Sequence, residues 1–409
     1  MPSYVKTAYY GDLASLKQEI GKAKAARTIN QDSVLALARA VARREVRSAS
    51  GDTVVERIRS TRACVRAVEP ELRERAESND DAGAEALLLL VESGRANGEP
   101  LVARYARSDQ GAFRAVAARG TSKGKYADVR RSFFVDGDER VRQAAFRAAF
   151  EAKDPVDTET LLEAARLDPS PQNRSLAARA VGRAGGPRAV LGLRDVWATA
   201  EAPVRLAIVD AWSMPGVFAE GGERELLQIA EARDSLSSVA AAGALARTQG
   251  EGAAVGRAVV LRAIVEGTND ERLVAIQLAR LDDKDAIVAL DHAATEKDGP
   301  VRVAAWVRLL QDPPHRLAAF AQLREAAKGH DAASRQALMA LADSEDPAVT
   351  PLLVNDLSGV DPGAREQAAL GLFRLGHPSD MAATLADSDP DVRLSVACSL
   401  LAADAPHAG

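Results

Sequence analysis

The chain has 409 residues, with 53 lysines and arginines against 58 aspartates and glutamates, a net charge of -5. That balance argues against a dedicated nucleic-acid binder, whose phosphate contacts need a surplus of cations. Aromatic residues are only 4%, too few for large β-rich cores or aromatic-lined cofactor pockets, while 47% hydrophobic and 27% charged residues fit a folded chain rather than a disordered one.

Residues 1–107 read as irregular helices, a degenerate stretch or cap preceding the rest. Asp12 opens an amphipathic helix through Ile20, Asp32 opens another through Val41, Asp52 caps a third through Val65, and Pro70 opens a fourth. The arginines 39, 43, 44, 47, 57, 59, 62 and 66 make this region locally basic. Acids such as Glu45, Asp52, Glu56, Glu69, Glu71 and Glu74 lie among them, so a solvated face is the plainer reading. The longest apolar run, Ala86 to Val91, is far short of the roughly 18 residues of a membrane span. The start, Met1 to Lys6, shows no basic flank before an apolar core. The chain as written reads as cytoplasmic; an exported protein with its leader removed is the alternative.

From residue 108 to 403 the sequence repeats. An arginine followed by small apolar residues recurs at 114, 142, 174, 205, 272, 302, 335, 365 and 393, with Ser238 in its place once. Steps of 28 to 34 residues give about ten units. An acid usually stands four positions earlier, as at Asp138, Glu201, Asp234, Asp298, Asp331, Asp361 and Asp389. It suits a helix start, because its carboxylate accepts the free first-turn amides and faces the positive helix end. Four residues on, the arginine lies on the same side, so an Asp–Arg contact is geometrically possible. Second helices follow near 155–167, 187–199, 223–232, 253–265, 285–296 and 316–328, separated by joins rich in glycine and proline. No alternating strand pattern bounded by hairpin turns occurs. Residues 404–409 form a short tail. No polar capping helix follows the last repeat, which is therefore expected to be exposed, frayed or paired with another chain.

The runs Asp138-Glu139-Arg140-Val141-Arg142-Gln143-Ala144-Ala145 and Asp298-Gly299-Pro300-Val301-Arg302-Val303-Ala304-Ala305 resemble HEAT repeats. Their short period is most similar to the HEAT-like subfamily named after phycobilisome lyases. The resemblance implies an all-α fold, an α-solenoid of stacked helix pairs in which no repeat buries its apolar face alone. It is nearly silent on activity.

No catalytic constellation stands out. None of the histidines 292, 315, 330, 377 and 407 has a partner at metal-ligand spacing, and neither a phosphate-binding glycine loop nor a Gly-x-Ser-x-Gly elbow occurs. No catalytic residue, metal or cofactor is assigned. Cys64 and Cys398, 334 positions apart, read as two free thiols packed as small apolar residues. Only ten of the basic residues are lysine, an arginine bias typical of GC-rich bacterial coding sequences.

The candidate surfaces come from the repeat register. Five positions after the repeat arginine stand Arg119, Arg147 and Arg179, then Asp210. Stacking would align the arginines into a basic ridge for an acidic segment or phosphate, or into a solvated row balanced by acids such as Glu151. Four positions after it stand Phe146, Val209, Ile276, Trp306 and Met339, either an apolar groove for a partner or filling between repeats. Trp197 and Trp212 read as core. The expected function is a non-enzymatic scaffold that binds a protein or peptide, the latter acidic, along the concave face through Arg119, Arg147, Arg179, Phe146, Ile276, Trp306 and Met339. Alternatives are a HEAT-like DNA glycosylase, with Arg147, Arg179, Asp210, Trp212 and Trp306 in its roles, a bilin lyase or chaperone, and an assembly role through self-association at the C-terminal repeat.

Overall fold

The computed structural model describes residues 2–232, 235–297 and 299–404. The expected caps Asp234 and Asp298 and the tail from 405 lie outside the described residues. Among those described the fold is all-α, without a strand. The first part of the chain forms α1 (Ser3–Tyr10), α2 (Leu13–Ala25), α3 (Gln31–Ser48), α4 (Thr53–Ser60), α5 (Glu69–Arg75) and α6 (Asp81–Glu92). Next come α7 (Glu99–Tyr105), α8 (Gly111–Arg119), α9 (Ala127–Phe133), α10 (Glu139–Ala152), α11 (Thr158–Leu167), α12 (Pro171–Ala184), α13 (Pro187–Trp197) and α14 (Ala202–Trp212). They are followed by α15 (Pro215–Val217), α16 (Glu223–Ala232), α17 (Leu236–Ala246), α18 (Glu251–Glu266), α19 (Asn269–Leu278), α20 (Lys284–Ala294) and α21 (Gly299–Leu309). The last part forms α22 (Arg316–Ala326), α23 (Ala332–Asp343), α24 (Thr350–Asp356), α25 (Pro362–Arg374), α26 (Pro378–Met381) and α27 (Pro390–Asp404).

The boundary expected at 107/108 does not separate compact bodies. One unit contains residues 97–316; the other joins residues 1–96 to residues 317–409. In the middle unit α8, α10, α12, α14, α17, α19 and α21 pack one against the next in chain order, with α11, α13, α16, α18 and α20 in a second layer. Small residues permit this. α10 buries Ala144, Ala145, Ala148 and Ala149, and a Cβ on Gly182 of α12 would sit 2.6 Å from the Cα of Ala211 in α14. Trp212 is buried, as the sequence suggests, and Trp197 is half-buried beside it, with ring centroids 5.6 Å apart.

The repeat arginine does not pair with the acid four positions earlier. That carboxylate is engaged at its own helix start: Asp138 accepts from the amide of Arg140, Asp331 from that of Ser334, and Asp361 from that of Gly363. The arginine instead reaches two other groups. Its guanidinium donates to carbonyls five and six residues before it, as Arg114 does to Ser108 and Asp109, Arg142 to Asp136 and Gly137, and Arg365 to Gly359 and Val360. It also meets an acid at the start of the following repeat. Arg114 is 2.8 Å from Asp136, Arg142 2.7 Å from Asp168, Arg272 2.7 Å from Glu296, Arg335 3.1 Å from Asp361 and Arg365 2.8 Å from Asp387. Arg174 likewise meets Glu201. Arg114, Arg142 and Arg365 thus tie off carbonyls of the preceding turn, and all six of these arginines fasten their repeat to the next. The Arg114 guanidinium beside Asp136 holds that carboxyl below the usual carboxylate range.

In the unit built from both chain ends the same series continues. α23, α25 and α27 pack in order. α3 then lies against α27, and α2 lies against the 3-10 helix Ala382–Ala386. The N-terminal helices therefore occupy the places a further repeat would take, and the last repeat is neither exposed nor frayed as expected. Arg393 of α27 plays the repeat arginine's part, donating to Asp387 and Ser388 carbonyls and, in place of a following acid, to Glu45 of α3 at 2.8 Å. The expectation of two free thiols also fails. Cys64 and Cys398 form a disulfide, with Cα atoms 4.7 Å apart. Linear separation carried no information here, because α27 packs on α3 and on the 3-10 helix that ends at Cys64.

Candidate binding cleft

The sequence-derived ridge is not a free row of cations. Arg119 is buried and its guanidinium meets Glu151 at 2.8 Å, while Arg179 meets Asp210 at 3.0 Å. Arg147 is half-buried and has partners of its own. Of the apolar positions, Phe146, Val209 and Ile276 are buried, and Phe146 stacks on Phe134 at 5.2 Å. These three fill space between helices and offer no surface. Trp306 is half-buried, with an indole N–H that has no hydrogen-bond partner among the described residues. Met339 is half-buried and belongs to the other unit.

A different group of residues converges where α1 packs on α3. Asn30 starts α3 with a capping box, its side chain accepting from Ser33 while Ser33 accepts from Asn30. Along the helix, Ala36, Arg39, Ala40, Arg43 and Arg47 fall on one stripe, being three, four, seven and eleven residues on from the first. The two alanines are too small to fill the space beside α1. The result is a cleft of about 260 Å³ lined by Val5, Lys6, Tyr9, Tyr10, Ala36, Arg39, Ala40 and Arg43.

Tyr9 is the fixed wall of this cleft. Its hydroxyl donates to Glu71 at 3.0 Å, and the same carboxylate oxygen accepts Arg43 Nε at 2.7 Å. The guanidinium of Arg47 stands 4.1 Å from the Tyr9 ring centroid and donates to the Tyr9 carbonyl at 2.9 Å, while that of Arg43 stands 5.0 Å from the same ring. Two cations thus bracket one aromatic face system, an arrangement favoured by the ring quadrupole. Burial pushes the Tyr9 hydroxyl pKa up, and the bond to Glu71 adds to this, so the phenol keeps its proton.

The open side differs. Tyr10 is 79% exposed and meets Tyr9 edge-on at 4.5 Å. Lys6 and Arg39 are exposed, and neither has an ion-pair partner among the described residues. Among the described residues Glu71 is the one acid bonded to this group, and Tyr9 and Arg43 share one of its oxygens. The cleft therefore has a positive rim, a flat aromatic floor and room for one or two side chains. Chemically it can hold a carboxylate beside an apolar or flat group.

Sequence reasoning noted Arg39, Arg43 and Arg47 but assigned them to a solvated face. The available signal was local: residues 1–50 carry nine lysines and arginines against four acids, and Tyr9-Tyr10 is a doublet in a chain poor in aromatics. Among the described residues no cluster of His, Cys, Asp and Glu is arranged to hold a metal ion, and no helix is long and apolar enough to cross a membrane. No protein-family model matches the chain, and a search of curated proteins finds no match.

Proposed function

We propose that this chain is a protein-binding adaptor built on HEAT-like repeats, and that the α1/α3 cleft takes an acidic side chain together with its neighbour from an extended segment of the partner. One observation supports the reading above the rest. Most arginines of the repeats are spent on carboxylates of the chain itself, whereas Lys6 and Arg39 stand uncompensated at the mouth of a cleft floored by tyrosine. Aromatic residues with an exposed face and a polar tip are favoured contact residues, and a charged rim steers an acidic partner toward them.

The test is fluorescence anisotropy with a labelled decapeptide of alternating glutamate and leucine, beside its lysine–leucine counterpart. The acidic peptide should bind at least tenfold tighter, weaken as salt is raised, and lose at least tenfold in affinity with Lys6→Glu/Arg39→Glu or with Tyr10→Ala. Equal binding of both peptides, or unchanged affinity in the variants, would remove the cleft from the function. Displacement of the acidic peptide by a single-stranded oligonucleotide at stoichiometric concentration would replace the protein partner with a nucleic acid.

A further inference from the structure

The disulfide between Cys64 and Cys398 joins the 3-10 helix Thr61–Cys64 to α27, across 334 residues of chain. Both cysteines are almost wholly buried, 3% and 2% exposed. Beside the buried apolar side chains of α27, such as Leu394, Val396 and Leu400, ion pairs join the same ends of the chain. Arg57 bridges Glu45 of α3 to Asp391 of α27, each at 3.1 Å, and Arg393 meets Glu45 from the other side. Further along, Lys24 of α2 meets Asp380 at 3.1 Å. Cations and acids of the two chain ends thus hold each other whether or not the sulfurs are bonded.

Two consequences follow from the burial. Thiols are tolerated in apolar surroundings as small hydrophobic groups, so the reduced pair leaves no ionised group in the interior and the unit has a folded reduced state. Exchange, however, requires a thiolate to reach a sulfur atom, and neither sulfur is open to solvent while α27 lies on its neighbours. Reduction therefore proceeds through a local opening of α27, and once the bond is gone that opening is no longer limited by a covalent tie.

We propose that Cys64–Cys398 is a redox clasp: oxidised, it locks α27 onto α3; reduced by a dithiol, it lets α27 open while the rest of the fold stays in place. The exchange is balanced. A dithiol reductant gives up two electrons and two protons and closes to its own disulfide, and the protein gains two thiols. This inference stands on the packing of α27 and not on the cleft reading. Because α3 also carries Arg39 and Arg43, peptide affinity is a second readout, and only that readout rests on the cleft.

The experiment uses the full chain, air-oxidised and then treated with dithiothreitol. Alkylation followed by intact mass reports the thiols, and hydrogen exchange read by mass spectrometry reports α27, α3 and, as a control, α8 to α14. Oxidised protein should take up no alkylating agent under native conditions. In dithiothreitol two alkylations should appear, exchange across α27 should speed up at least tenfold, and the control helices and the helical circular dichroism should not change. Cys398→Ala should match the reduced state; if that variant does not fold, the wild-type chain in dithiothreitol still carries the test. Free thiols in the air-oxidised chain, identical α27 exchange in both states, or reduction only upon loss of helicity throughout would each overturn the clasp. Altered α27 exchange with unaltered peptide affinity would keep the clasp and count against the cleft.

Discussion

The two units use one fastening device at one short range, Arg335 and Arg365 also reaching acids 26 and 22 residues on, except at its last member. In the middle unit a repeat arginine finds its acid 22 to 27 residues further on, as Arg114 finds Asp136 and Arg174 finds Glu201. In the unit made from both chain ends, Arg393 finds Glu45 across 348 residues. The residue type, the carbonyls it ties down and the burial are alike; only the source of the last carboxylate differs. A stack of repeats leaves its final apolar face without a following neighbour. Here helices from the other end of the chain supply it, so a local rule is completed by a non-local contact.

The largest expected effect tests that non-local closure. Replacing both Cys64 and Cys398 by alanine should cost about 5 kcal/mol, as expected for releasing a very long closed loop in the unfolded chain. The loss should fall on the first of two resolved transitions in urea, with probes in α8 to α14 unmoved. A uniform loss across all probes would mean that the units do not melt separately, and the contrast between them would fail.

The fastenings themselves come next. Arg142→Ala leaves the nearly buried Asp168, at 5% exposure, without its arginine, whereas Arg393→Ala takes one of two arginines from Glu45, at 3% exposure, and Arg57 remains. By denaturant titration the first should cost about 3 kcal/mol, as a broken buried pair does, and the second about 2 kcal/mol. Arg335→Ala breaks an exposed rung, 40% and 54% open at its two side chains, and should cost under about 1 kcal/mol. If Arg393 behaved like Arg335, the long-range contact would be an incidental surface pair and not the repeat device continued.

Close packing in the middle unit gives a smaller effect. Gly182→Ala drives a methyl into Ala211 of the adjoining helix and should cost about 2 kcal/mol, read as a lower melting temperature. Leucine there should be worse.

The smallest effect is a pH dependence confined to the middle unit. His315 lies between Asp312 at 2.5 Å and Asp291 at 3.1 Å. The bond to Asp312, with the charges of both carboxylates, raises its pKa above the ordinary 6.5. A raised histidine contributes stability that is fully present below 6.5 and lost as pH rises through the folded value. Melting between pH 6 and pH 9 should therefore show a small decline that His315→Gln abolishes. No difference between the two proteins would show that the ring is neutral throughout.

Much of this architecture was readable in advance, and the failures share one cause. Helix periodicity, joins marked by glycine and proline, and the recurring arginine all depend on residues within one repeat, so the all-α fold and most second helices were legible. The arginine's partner was not legible, because the nearest acid in sequence is engaged by its own helix start. Cys64 and Cys398, and the pairing of Arg393 with Glu45, depend on which distant helices meet, for which a single sequence holds no local signal. The cleft failed for the same reason. Arg39 and Tyr10 each look like ordinary surface residues until α1 is laid on α3, and the depression between them is made by what is absent from Ala36 and Ala40. Phe146 and Ile276 were selected by register alone, and register does not distinguish a residue facing solvent from one filling the gap to the next helix.

The placement of α3 against α27 also has a consequence for synthesis. A ribosome adding roughly 5–20 residues per second finishes α3 well before it begins α27, and the interval is on the order of half a minute. Within that time the middle unit can complete its stack, whereas α3 waits with the side that meets α27 uncovered. The order of folding is therefore set by translation: the middle of the polypeptide matures first, and the beginning becomes native only when the final helix emerges. A nascent chain stalled before residue 390 should show protease-resistant α8 to α14 and a cleavable α1 to α4, a stage at which a holding chaperone would have its natural substrate.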